Sequence, residues 1–203
     1  MWPFKSKIRL VKIYDGEEEY TVNGRTVIFK RKFYRTKLPP MLIKLILRFC
    51  SRNEMASRFP KLTFMFDDSG SIGESNRIAY VLPNDVEVGN YIVYVSVDPI
   101  LTHPSELYPT LTHELTHLWQ YDVNKDLRMA RKAGSRLTEI FEKKRYLTRN
   151  MTAVDLREML YNFMNQSLYV EGIALYAEEH SRGTVKFNDK VFNSLYSIPP
   201  STR

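Results

Sequence analysis

At 203 residues and 43% hydrophobic content, the chain is long and apolar enough to bury a core unaided, and its single cysteine, Cys50, excludes an internal disulfide. The formal net charge of +7 sits on residues 1–60 and 123–203, whereas residues 61–122 are net acidic, which argues against a nucleic-acid channel through the middle of the chain. No apolar run approaches the roughly 20 residues of a membrane span, and the first residues lack the apolar stretch of a secretory signal, so the expectation is a cytoplasmic protein of one domain.

Residues 7–14 alternate Ile8, Leu10 and Ile13 imperfectly with basic side chains. Asp15-Gly16 and Asn23-Gly24 are turn dipeptides, and residues 26–32 complete a β-hairpin extension over residues 1–37. Pro39-Pro40 ends it. Residues 41–59 read as one helix, apolar on nearly all sides except at Lys44, Arg48 and Arg52 and hence sandwiched in a core, with Cys50 a buried thiol. Residues 62–66 and 91–97 are apolar on both faces, as buried strands are. Between them residues 77–82 form a third strand that stops at Pro83, and proline confines it to a sheet edge. Such an edge accepts an extended peptide by backbone hydrogen bonds, unless a loop covers it. After Asp98 the chain turns through Pro99, His103 and Pro104, with His103 read as a loop histidine. The next helix has Pro109 in its first turn and runs to about residue 121. Further helices are expected over residues 126–147, 153–166 and 167–181, the last closed by Gly183. The basic stripe Arg128, Arg131, Lys132 and Arg136 reads as a solvated face rather than a phosphate contact, an assignment that Glu139 and Lys143 at i,i+4 support.

The helix that begins near Pro109 carries His113-Glu114-Leu115-Thr116-His117. Chance supplies a His-Glu-x-x-His pattern about 0.005 times in a chain with 4 histidines. One turn apart on a helix, the two imidazoles have Cβ atoms ~5 to 6 Å apart and can share one ion. Glu114 points about 100° away around the helix, where it can hold a metal-bound water instead of binding the metal, as a general base does. The neighbours Leu111, Leu115, Leu118 and Trp119 place the segment against a core, in which an imidazole or carboxylate needs a partner.

A catalytic zinc takes three protein ligands. A histidine six residues beyond His117 is excluded, because position 123 is Val. Downstream, Glu171 and His180 are the candidates, and they fall on opposite sides of one helix, so a single ion cannot take both. Glu171 is preferred: Val170, Gly172, Ile173, Ala174 and Leu175 surround it with apolar residues, and its carboxylate requires a metal or, as the alternative, a buried salt bridge to an arginine.

His113-Glu114-x-x-His117 with the downstream Glu171, in the form Glu-Gly-x-Ala-x-Tyr, resembles the gluzincins, thermolysin-like zinc metallopeptidases, over about residues 26–182. The resemblance implies an α+β, zincin-like fold: a small mixed sheet packed on a backing helix and on the His-Glu-x-x-His helix (38–122), then a helical C-terminal part (123–203) that carries the third ligand. It implies Zn2+ held by His113, His117 and Glu171, with Glu114 as general base and proton shuttle, acting on a peptide or protein substrate. One position departs from the pattern. Thermolysin-type members place an aspartate four residues after the glutamate ligand to orient a zinc histidine, whereas position 175 here is Leu; Glu178, on the Glu171 face, is the candidate substitute. Tyr169, Tyr176 and His180 are the candidates for stabilising an oxyanion. Two other readings are a zincin-like interaction module without activity and a nucleic-acid-associated protein that uses its basic flanks. Residues 1–37 are also candidates to cover the cleft, as the N-terminal segments of some small zincins do.

Overall fold

In a computed structural model of the chain, residues 9–14, 16–30, 38–67, 78–129, 131–132 and 168–183 are described. Asn23 (φ 51°) and Gly24 (φ 78°) both adopt the left-handed conformation, which a two-residue hairpin turn requires if its twist is to match that of the strands. β2 (Glu17–Val22) therefore folds back on β3 (Arg25–Lys30) with Val22 opposite Arg25, and β1 (Arg9–Tyr14) pairs antiparallel with β2. These strands are continuous with the rest of the sheet. β3 runs parallel to β4 (Lys61–Asp67), Phe29 beside Phe64, and β4 runs parallel to β6 (Tyr91–Ser96). β5 (Ala79–Tyr80) pairs antiparallel with β6. The result is a six-stranded mixed sheet in the order β1-β2-β3-β4-β6-β5, flanked by helices in an α+β arrangement.

The parallel centre is the most buried part of the sheet. Phe29 stacks on Phe64 and on Phe66 with ring centroids 5.8 Å apart, and burial of each such ring contributes roughly 1.5–3 kcal/mol. α1 (Pro40–Arg52) bridges β3 and β4. Pro40 at its first position costs no hydrogen bond, Leu42, Ile46, Phe49 and Cys50 are buried, and Lys44, Arg48 and Arg52 share an exposed stripe. Burial pushes the Cys50 thiol up to about 12, in keeping with an inert core cysteine. The helix expected over residues 41–59 ends early, and Asn53 is the reason. Its side-chain oxygen accepts the Ala56 N–H at 3.2 Å, starting a separate short turn at Ala56–Arg58, and a side chain that bonds the backbone locally competes with helix continuation.

β4 is buried on both faces over residues 62–66, as its apolar run predicts. β6 is not. Val93 and Val95 are buried while Ile92 and Tyr94, on the opposite face, are only half-buried. Tyr94 stacks on Tyr80 (centroids 4.6 Å apart) and donates to Asp85 at 2.9 Å. β5 is one of the two edge strands of the described sheet, with β1 at the other end; Arg77, the first residue of the expected strand, lies outside the described residues. Pro83 stops β5 by opening α2 (Pro83–Glu87), and the turn expected around Pro99 is a short helix, α3 (Val97–Thr102), with the exposed His103 at its C-terminal end.

α4 (Leu107–Val123) follows with Pro109 in its first turn. Residues 125–129 and 131–132 are helical, as are residues 168–181, which end at Gly183 with φ 77°. The helix expected over residues 153–166 and the rest of that over 126–147 lie outside the described residues, as do Arg136, Glu139 and Lys143. Among the described residues no helix is long and apolar enough to cross a membrane.

Candidate metal centre

α4 buries Leu111, Leu115 and Leu118 completely and is tied to the end of α1 by Asn53 Nδ2, which donates to Thr112 Oγ1 at 3.2 Å. Its remaining face presents His113, His117 and Tyr121, each one turn from the next, to a cleft of about 390 Å³. Glu114, Thr110, Arg131, Glu171 and Glu178 complete that lining, together with Ile78, Ala79, Tyr80 and Val81 along the β5 edge. The four side chains singled out in the sequence, His113, Glu114, His117 and Glu171, thus meet in one place.

The imidazoles stand edge to face, with centroids 4.7 Å apart and planes at 82°, and their Nε2 atoms are separated by 3.0 Å. Glu171 Oε2 lies 3.4 Å from His113 Nε2 and 3.3 Å from His117 Nε2. One donor atom from each of the three residues falls within 4.8 Å of the others.

The far sides of the rings decide what those atoms are. Gln120, wholly buried, donates from Nε2 to the Val170 carbonyl at 3.1 Å, and because a carbonyl only accepts, the amide orientation is fixed. Gln120 Oε1 then accepts from His117 Nδ1–H at 2.9 Å. His113 Nδ1–H donates to Glu178 Oε2, also at 2.9 Å. With both Nδ1 atoms protonated, each neutral ring directs its Nε2 lone pair at the other ring and at Glu171 Oε2. Three acceptors facing one point repel unless a proton or a cation lies among them.

The protonation tendencies agree. Burial disfavours charge on His113, but Glu171, Glu114 and Glu178 together outweigh it and raise its pKa. Contacts from His113 and His117, helped by the charge of Arg131, hold Glu171 far below the usual carboxylate range in spite of burial. The cluster is built around positive charge.

Glu171 also makes the arginine contact that is the alternative to metal binding. Its other oxygen, Oε1, is 3.3 Å from Arg131 Nη2, so one carboxylate does both. Glu178, the candidate substitute for the missing aspartate at position 175, reaches His113, while Leu175 is exposed. Tyr169, Tyr176 and the exposed His180 do not line the cleft. Tyr121, with its hydroxyl pushed up to about 12 by burial, does. The described strands β1 to β3 also contribute nothing to the lining, because β4 and β6 separate them from β5.

The basic stripe requires a correction. Arg128 donates to the Tyr121 carbonyl at 2.9 Å, Arg131 meets Glu171 and Lys132 pairs with Glu87, so its described members face protein acceptors instead of forming a solvated face. Gln120 and Tyr121 carry a faint signal in sequence, since they follow His117 by three and four residues on its own helix. Arg131 carries none. No protein-family model, curated protein or solved structure matches the chain.

Proposed function

We propose that the chain is a zinc-dependent peptidase of the gluzincin kind, with Glu114 as its general base. The observation that carries this reading is the pair of Nδ1 hydrogen bonds, to Glu178 and to Gln120, which turn two Nε2 lone pairs toward the Glu171 carboxylate. Two neutral imidazoles and one carboxylate suit zinc and not the all-oxygen sets of calcium or magnesium. When bound, the ion supplies Lewis acidity, polarising a carbonyl and acidifying a water.

The remaining chemistry belongs to the chain. Glu114 lines the same cleft but stands outside the donor set, and its side chain takes a proton from the attacking water and returns it to the leaving nitrogen. Only 9% of Glu114 is exposed, which keeps bulk water away from that transfer. The β5 edge runs along the cleft, so an extended peptide adds to it by backbone hydrogen bonds and lies across the donors. The substrate class is therefore a peptide or an unfolded stretch of protein.

Purified protein should bind one zinc and cleave members of a peptide library. Glu114→Gln should keep the zinc and lose turnover; a variant as active as wild type removes Glu114 as the base. Glu171→Ala should lower bound zinc sharply, and an unchanged zinc content transfers the third position to another residue.

A further inference from the structure

Asn124 reverses the chain at the end of α4. Its N–H caps the Gln120 carbonyl, and its side-chain oxygen accepts the Leu127 N–H at 3.0 Å, so one residue ends α4 and starts the helical turn behind it. The contacts of Arg128 with the Tyr121 carbonyl and of Lys132 with Glu87 pin that turn on both sides of Arg131. Arg131 is thereby carried back to the cleft, where Nη2 lies 3.3 Å from Glu171 Oε1 while Oε2 faces the two imidazoles. Tyr121 lines the same cleft as this guanidinium, whose positive charge acts on its hydroxyl, and the Tyr121 ring lies parallel to that of His117, with centroids 5.9 Å apart and planes at 10°.

We propose that Arg131 is a positioning residue that restricts Glu171 to ligation through one oxygen and, through Tyr121, steadies the ring of His117. The inference rests on the metallopeptidase reading above. A carboxylate offers a cation either one oxygen or both. Here the second oxygen is engaged by an ion pair with Arg131 at 3.3 Å, and ligation through Oε2 alone would keep the protein donor atoms at three, leaving a position open for water and substrate. A guanidinium fork can hold a carboxylate oxygen and a phenol together, which the point charge of a lysine does poorly. An ordinary surface ion pair would leave both the affinity for metal and its coordination number untouched.

Zinc affinity measured by chelator competition, and the visible spectrum of the cobalt-substituted protein, test this without reference to turnover, because four-coordinate cobalt absorbs more strongly than five-coordinate cobalt. Arg131→Ala should bind zinc ~10- to 100-fold more weakly and show weakened cobalt bands. Arg131→Lys should recover part of the affinity without the band intensity, and Tyr121→Phe should shift the bands less than either. Circular dichroism of the metal-free variants checks the fold; should Arg131→Ala fail to fold, Arg131→Lys and Tyr121→Phe carry the comparison. Wild-type affinity with a wild-type cobalt spectrum in a folded Arg131→Ala or Arg131→Lys protein overturns the inference and leaves the zinc reading intact, whereas wild-type protein that binds no zinc overturns both.

Discussion

The two histidines of the cluster are supported from behind in opposite ways. His113 leans on Glu178, which is paired at 2.6 Å with Arg182, which in turn reaches Glu106 at 2.7 Å. That chain is charged, and its outer members are about one-third exposed. His117 leans on Gln120, wholly buried and neutral, whose amide passes the hydrogen bond on to the Val170 carbonyl. Both chains run through the segment that carries Glu171, with Val170 beside it and Glu178 two turns on. The third donor and the supports of the other two therefore arrive together, and the cluster exists only when residues 168–181 are docked on α4. The neutral support couples the cluster to folding, and the charged support couples it to the solvent.

The largest effect separating the two halves should come from Gln120→Leu. The replacement fills similar volume but leaves the His117 Nδ1–H buried without its acceptor and removes the second hydrogen bond to the Val170 carbonyl, at a cost of about 1 to 3 kcal/mol. Denaturant unfolding of the metal-free protein should show that loss, and zinc affinity should fall with it. A stable Gln120→Leu variant with unchanged zinc affinity would mean that His117 does not depend on its neutral support. Glu178→Gln should do the reverse: metal-free stability within about 1 kcal/mol of wild type, since the ion pair lost is solvent-screened, but zinc bound roughly 10-fold more weakly as His113 loses a charged acceptor. Equal stability losses in the two variants would erase the distinction between the supports.

How much of this is legible in sequence depends on the range of the interaction involved. His113, Glu114 and His117 follow from helical spacing alone, and Glu171 from a carboxylate placed among apolar neighbours; all four reach the cleft. Element boundaries are less legible because single side chains decide them. Asn53 stops α1 by bonding Ala56, and Pro83 limits β5 by starting α2. Strand faces depend on neighbours: the apolar run of β6 looks buried on both sides, yet Ile92 and Tyr94 are only half-buried, with Tyr94 set against Tyr80 and Asp85. Arg131 is the least legible. Spacing puts it on a basic stripe, but whether the stripe meets water or protein depends on the reversal at Asn124, and its partner Glu171 lies 40 positions further along the chain. Gln120 is only faintly legible for a related reason: its spacing puts it near His117 on one helix, but its other partner, the Val170 carbonyl, lies 50 positions further along the chain.

The smallest effect is the most discriminating between the two supports. Arg182 joins the Glu171 helix to Glu106 at the start of α4 and orients Glu178, with its own side chain 29% exposed. In so open a position the pairs contribute about 0 to 1 kcal/mol, so Arg182→Ala should shift the unfolding midpoint slightly and weaken zinc binding only a few-fold. Raising the salt from 0.1 M to 1 M shortens the Debye length from about 10 to about 3 Å, which screens Arg182 from its carboxylates in wild type but changes nothing in a variant that lacks it. The difference in zinc affinity between wild type and Arg182→Ala should therefore close in high salt, measured by chelator competition at both ionic strengths. The difference between wild type and Gln120→Leu should persist, because the buried neutral hydrogen bonds to His117 and Val170 have no net charge for salt to screen.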